Sequence, residues 1–283
     1  MEITVAKTAG FCFGVKRALE LVQSSLESDT SPICSLGPLI HNPAVVAELE
    51  SKGLKVVSDI KDVKEGRVVI RSHGAGPSIY DYASEQGLEL IDATCPFVKN
   101  VHELALMLKK EGYQVIIVGE NDHAEVIGVL ETLSGEALVV NDPRQLDSAY
   151  IEYKVGIISQ TTQDIATFQQ VVSEVLPKTK ECRIFNTICL ATTQRQQETA
   201  RLSQEVDLMI VVGGKNSANT KRLAEISAQH GTRTYQVESP DELSPEWFKG
   251  VRKVGVTAGA STPDQHITAV IQQIQALGGT GCG

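Results

Sequence analysis

The chain has no CxxC pair among its six cysteines, no apolar run long enough to span a membrane, no arginine-rich tract and only 5% aromatic residues. Each absence excludes something. Without a CxxC pair there is no zinc ribbon and no thioredoxin-like motif, so any metal site gathers cysteines from distant parts of the chain. The longest apolar runs, YQVIIVG at 113–119 and LMIVVGG at 208–214, fall far short of the roughly 20 residues a membrane helix needs. A net charge of −9 removes the bulk attraction that drives nucleic-acid binding, so nucleic acid is not expected as a partner. An anionic ligand must then be held by local donors and helix N-termini. The opening MEITVAKTAGF has neither the basic start and apolar stretch nor the cleavage site of a secretory signal, so the expectation is a cytoplasmic protein with no membrane partner. In that reducing compartment, cysteines serve as buried thiols, metal ligands or catalytic groups and not as disulfides.

What is present is a repeated α/β pattern. At 283 residues and 42% hydrophobic content, the chain can bury a substantial core. Short apolar strands alternate with amphipathic helices throughout, which is the signature of βαβ units with mostly parallel sheets. The pattern recurs three times, and a cysteine marks each copy. EITVAKTAGFC closes at Cys12, LELIDATC at Cys95 and CRIFNTIC at Cys189, each followed directly by a helical stretch. A second strand then leads to a polar residue at nearly constant spacing: His41 is 29 residues after Cys12, His123 is 28 after Cys95, and Ser217 is 28 after Cys189. A third strand delivers His73 in RVVIRSHG, Thr161 in KVGIISQTTQ and Ser261 in KVGVTAGAST. The third copy lacks a closing strand of its own, and the N-terminal strand supplies it. Expected domains are therefore 13–95, 96–188, and 189–283 with 1–12. Three such units form a pseudo-threefold, trefoil-like arrangement with strand C-termini directed at a common centre, where ligands bind in α/β sheets.

A thiolate at the N-terminus of a helix is stabilised by the helix dipole and its free N–H groups. Singly, each cysteine reads best as a small buried hydrophobe; three at equivalent places in three repeats do not. Three soft ligands without a fourth cysteine suit an iron–sulfur cluster with one open iron, and a zinc with one open position is the alternative. That zinc would activate water for phosphate-ester hydrolysis. A cluster enzyme without net electron transfer and a redox-sensing or diphosphate-binding protein without turnover are further alternatives. Cys34, Cys182 and Cys282 have no matching partners and receive no role. His41, His73, His123, Thr161, Ser217, Asn219 and Ser261 are convergent donors suited to a diphosphate. His102, His230 and His266 fall in helical stretches and read as structural. Glu125, two residues after His123, is the carboxylate selected as proton donor, because burial beside an anion raises a carboxyl pKa.

The segments AGFCFGVKRA, GPLIHNP, RSHG, DATCPFVKNVH, HAEV, QTTQ, NTICLATTQRQ, GGKNSANT and VTAGASTPD together resemble the 4-hydroxy-3-methylbut-2-enyl diphosphate reductase family, over essentially the whole chain. The resemblance implies a [4Fe-4S] cluster on Cys12, Cys95 and Cys189, whose fourth iron takes the substrate hydroxyl. It implies a diphosphate held by His41, His73, His123, Ser217, Asn219 and Ser261, with Thr161 orienting substrate and Glu125 supplying the proton. It also implies single electrons from a donor such as ferredoxin or flavodoxin, and isopentenyl and dimethylallyl diphosphate as products. Two positions depart from the family pattern. Ala124 stands where many relatives have proline, which leaves the orientation of Glu125 open. Ala218 stands where some have a second serine, so only a backbone N–H can bind phosphate there.

Overall fold

The computed structural model describes residues 1–28 and 31–279; Cys282 lies outside the described residues. In chain order the elements are β1 (Glu2–Val5), α1 (Phe13–Ser28), β2 (Ile33–Leu36), α2 (Pro43–Ser51), β3 (Leu54–Val57), β4 (Arg67–Ile70), α3 (Pro77–Gln86) and β5 (Glu89–Asp92). They continue with α4 (Pro96–Lys110), β6 (Gln114–Val118), α5 (Ala124–Thr132), β7 (Ala137–Val140), β8 (Lys154–Ser159), α6 (Ile165–Val175) and β9 (Glu181–Ile184). The last are α7 (Leu190–Ser203), β10 (Leu208–Val212), α8 (Ala218–Gln229), β11 (Arg233–Val237), β12 (Lys253–Ala258) and α9 (Asp264–Gly279).

The strands form three four-stranded sheets with one shared order: β3-β2-β4-β5, β7-β6-β8-β9 and β11-β10-β12-β1. Every pairing is parallel. The first strand completes the last sheet, with Ile3 opposite Val254 and Val5 opposite Val256. In each sheet the strand that leads to a cysteine, β5, β9 or β1, lies at one edge. The opposite edge is a strand that the sequence pattern did not single out: β3 (LKVV), β7 (ALVV) or β11 (RTYQV). These are short and partly exposed, so their apolar signal is diluted. By contrast β4 and β10 are buried at every position, which produces the continuous apolar runs of strands covered on both faces.

By internal contacts the described chain divides into two compact units. One gathers 1–15, 40–45 and the residues from Leu190 onward; the other gathers 16–39 and 46–189. The first unit holds the β11-β10-β12-β1 sheet, with a core of β10 and β12 side chains against Ile267, Val270 and Ile274 of α9. The second holds the other two sheets. There Val101, Ala105 and Leu108 of α4 pack on Val115, Ile117 and Ile158, and each fully buried aliphatic side chain contributes about 1.5–3 kcal/mol. The repeated KVG triplet has a packing reason. A Cβ on Gly156 of β8 would lie 2.4 Å from Leu108, and one on Gly255 of β12 would lie 3.1 Å from Leu202 of α7. Each glycine admits the leucine thirteen residues after a cysteine, a use of strand glycine where another element comes close. No helix among the described residues is long and apolar enough to cross a membrane.

Candidate active site

The second unit brings together Glu125, Thr161, His123 and His73. Residues 124–132 form α5 because His123 caps it: the ring Nδ1 accepts the backbone N–H of Glu125 at 3.2 Å. That bond assigns the lone pair to Nδ1 and leaves the Nε2–H as the ring's donor in the neutral tautomer. The His73 and His123 rings meet edge to face, with centroids 5.6 Å apart.

Glu125 points inward from the first turn of α5 and is 2% exposed. The backbone N–H of Thr161 donates to its Oε1, and the Thr161 hydroxyl donates to its Oε2, both at 2.7 Å. The orientation left open by Ala124 is therefore set: two donors from the loop after β8 hold the carboxyl from both oxygens. Burial pushes its pKa up to about 7, against the two Thr161 bonds, which favour the charged form. The group thus carries a proton for a large part of the time near neutral pH, as a proton donor must. Removing one bond tests the balance. Thr161→Val keeps the shape and deletes the hydroxyl donor to Oε2, so the Glu125 pKa is expected to rise above its present value. Infrared titration of the carboxyl band measures this, and a downward shift would contradict the assignment.

The first unit carries the remaining candidates. Ser217 caps α8, its Oγ accepting the Thr220 N–H at 3.3 Å, so its own proton remains to be given elsewhere. Asn219, in the first turn, is 4% exposed, and both polar atoms of its amide lack a hydrogen-bond partner. Ala218 offers its first-turn backbone N–H, a group with no acceptor within the helix. Ser261 is 6% exposed and gives its hydroxyl proton to the His41 carbonyl at 3.2 Å, long for an O–H···O bond and readily exchanged for a better acceptor. The His41 segment is seated tightly on this unit. A Cβ on Gly214 would lie 2.7 Å from the His41 carbonyl, and Asn42, which the sequence reading passed over, donates from Nδ2 to the Ser261 carbonyl at 3.0 Å.

The three cysteines occupy matching backbone environments. Each amide donates to the loop that follows the strand paired with the one leading to its cysteine: Cys12 to Ala260 at 3.2 Å after β12, Cys95 to Ser72 at 3.0 Å after β4 and Cys189 to Thr161 at 2.9 Å after β8. These acceptors are Thr161 itself and the residues immediately before Ser261 and His73. One bond thus ties each thiol to a candidate ligand-binding position. All three cysteines are partly buried, and each directly precedes a helix, with Cys95 the N-cap of α4. Cys34 lies in the apolar core around β2 and β4. Of the histidines read as structural, His102 bonds Thr132 at 2.8 Å from within α4, His230 caps the end of α8, and His266 lies in α9.

Comparison with known proteins agrees over nearly the full length. The profile of the LytB protein family matches residues 3–275. The 4-hydroxy-3-methylbut-2-enyl diphosphate reductase of Syntrophotalea carbinolica is 48% identical over 275 residues, covering 97% of this chain and 98% of that one. The Aquifex aeolicus protein of the same name is 46% identical over 281 residues, covering 98% and 97%. Two solved structures are similar. One is (E)-4-hydroxy-3-methyl-but-2-enyl diphosphate reductase, described as the terminal enzyme of the non-mevalonate pathway; it is 46% identical, with a TM-score of 0.72 over 98% of this chain and 100% of that one. The other is the E-1-hydroxy-2-methyl-but-2-enyl-4-diphosphate reductase from Plasmodium falciparum, 30% identical with a TM-score of 0.91, covering 96% and 87%.

Proposed function

Because the chain belongs to the LytB family of 4-hydroxy-3-methylbut-2-enyl diphosphate reductases, we propose that it removes the hydroxyl of (E)-4-hydroxy-3-methylbut-2-enyl diphosphate reductively, giving isopentenyl and dimethylallyl diphosphate. The observation that carries this reading is the buried Glu125, held by Thr161 and with its carboxyl pKa pushed up to about 7 by burial. An allylic hydroxyl is a poor leaving group, and a positioned acid lets it depart as water. His41, His73, His123, Ser217, Asn219 and Ser261, with the Ala218 N–H, bind the diphosphate. Asn219 supports this most directly, since a buried amide with no internal partner is a cost that an anionic ligand removes. Thr161 holds Glu125 and orients the substrate beside it.

The residues also fit an iron–sulfur group. Three partly buried thiols, each ahead of a helix and each held by an equivalent amide bond, supply soft ligands in a setting that favours thiolates. Cys12, Cys95 and Cys189 would hold a [4Fe-4S] cluster with one open iron. When bound, that group acts as Lewis acid on the substrate oxygen and delivers two electrons one at a time. No side chain of this protein supplies such electrons, so a ferredoxin or flavodoxin is the expected donor. We also infer a cytoplasmic setting and an organisation into 13–95, 96–188, and 189–283 with 1–12 about the cluster; the three sheets of identical order support it. Neither nucleic acid nor membrane enters the reaction.

The test is an anaerobic assay of the reconstituted protein with the hydroxylated diphosphate and a chemical one-electron reductant, following both products. Formation of both, dependent on the reductant, is the expected outcome. A colourless protein that holds one zinc and forms neither product would sink the reading.

A further inference from the structure

One hydrogen-bond arrangement occurs twice and is not used by the chemistry above. Arg17 lies in α1, the helix that starts after Cys12, and its Nη1 donates to the carbonyl of Thr94 at 3.0 Å. Thr94 is the residue directly before Cys95. Arg195 lies in α7, the helix that starts after Cys189, and its Nη2 donates to the carbonyl of Gly10 at 2.8 Å. Gly10 is two residues before Cys12, and the guanidinium reaches it from a side chain only 3% exposed. The two arginines stand at nearly the same distance from their own cysteines, five and six residues. The third helix, α4, has Asn100 at the corresponding place, and it is exposed.

The Cys12 segment is held by a second side chain of the same helix. Glu198 accepts the Lys7 N–H at 2.7 Å, the Thr8 N–H at 2.8 Å and the Thr8 hydroxyl at 2.6 Å. Past the end of an edge strand, backbone groups have no ladder to pair with and need such partners. The choice of arginine matters as much as the bond. A guanidinium is always charged and presents several donors in a rigid plane. Set one or two residues ahead of a thiolate, it fixes the backbone that aims the sulfur and offsets the negative charge gathered by a metal–sulfur group.

We propose that Arg17 and Arg195 are positioning residues for that group: each, from the helix begun at one cysteine, locks the backbone leading into another cysteine and lends it positive charge. The inference rests on the cluster reading above. Arg17→Gln and Arg195→Gln keep a donor but lose the charge and the rigid fork; Arg→Lys at either position restores the charge. Each variant and the wild type are reconstituted anaerobically. Iron and sulfide per chain, the rate of iron loss to a chelator, the electron paramagnetic resonance spectrum of the reduced protein and the melting temperature of the apoprotein are then measured.

The expected result is iron loss about 10-fold faster or more in both glutamine variants, the scale typical of lost outer-shell partners. An altered spectrum, partial recovery with lysine, and no change in an Asn100→Ala control complete the expectation. Should Arg195→Gln not fold, Arg17→Gln, on a partly exposed side chain, carries the same expectation. A wild type that binds the cluster alongside glutamine variants with the same iron retention and spectrum overturns this inference alone. A wild type that takes up no iron overturns the cluster reading, and this inference with it.

Discussion

Glu125→Gln is expected to lower turnover by about 10²- to 10⁴-fold, the range associated with loss of a positioned general acid. The substitution is nearly isosteric. Its amide oxygen still accepts the Thr161 N–H, and its NH₂ can donate to the Thr161 hydroxyl, so the fold and the loop after β8 are retained. What disappears is the transferable proton. Substrate affinity should change little, which places the effect in kcat. A variant that retains most of the wild-type kcat would remove Glu125 from the mechanism.

The same variant makes a prediction about pH and stability. Burial raises the Glu125 carboxyl from 4.5 in the unfolded chain to about 7 in the folded one. A folded state that binds the proton more tightly is favoured at low pH, and that contribution is fully present below pH 4.5. It is lost as pH rises through about 7, with a total of the order of 3 kcal/mol. Glutamine has no such term. The stability of wild type minus that of Glu125→Gln, from denaturant unfolding, should therefore fall across this window and level off above it. The wild-type kcat should decline over the upper part of the window, as the acid form is depleted. A stability difference independent of pH would show that the carboxyl is not held protonated by burial.

Asn219→Leu is expected to separate binding from stability. In the free protein this amide is buried with neither polar atom paired, at a cost of about 1–3 kcal/mol for such a group. Leucine fills a similar volume and removes that cost, so the apoprotein should melt at the same temperature or about 2–4 °C higher. Binding should go the other way. Loss of a hydrogen bond to a charged phosphate oxygen costs about 1.5–3 kcal/mol, which is roughly 10- to 100-fold in KM. Measured together, melting and KM distinguish a ligand-binding amide from a structural one. A structural amide would lower the melting temperature and leave KM unchanged.

The family, the parallel α/β class and the placing of three cysteines at strand-to-helix junctions were legible in the sequence, because each is written in local pattern. Cys12, Cys95 and Cys189 end strand-like runs and open helices. The spacings to His41, His123 and Ser217 repeat because each copy spans one helix and one strand. The edge strands β3, β7 and β11 were not legible, since their partial exposure breaks up the apolar run that marks a strand. Arg17 and Arg195 stood inside recognisable segments, yet their acceptors lie 77 and 185 residues away along the chain.

The sequence by itself determined which chemical groups recur and at what spacing, since helix and strand periods and strand-to-helix junctions are short-range properties. Only the tertiary structure decided what state those groups are in. The raised pKa of Glu125 comes from desolvation, against two hydrogen bonds from Thr161, 36 residues away. The unpaired amide of Asn219 depends on what is absent around it. Charge and hydrogen-bond state are set by whichever neighbours and how much water surround a group in space, and a linear order of residues does not encode that directly.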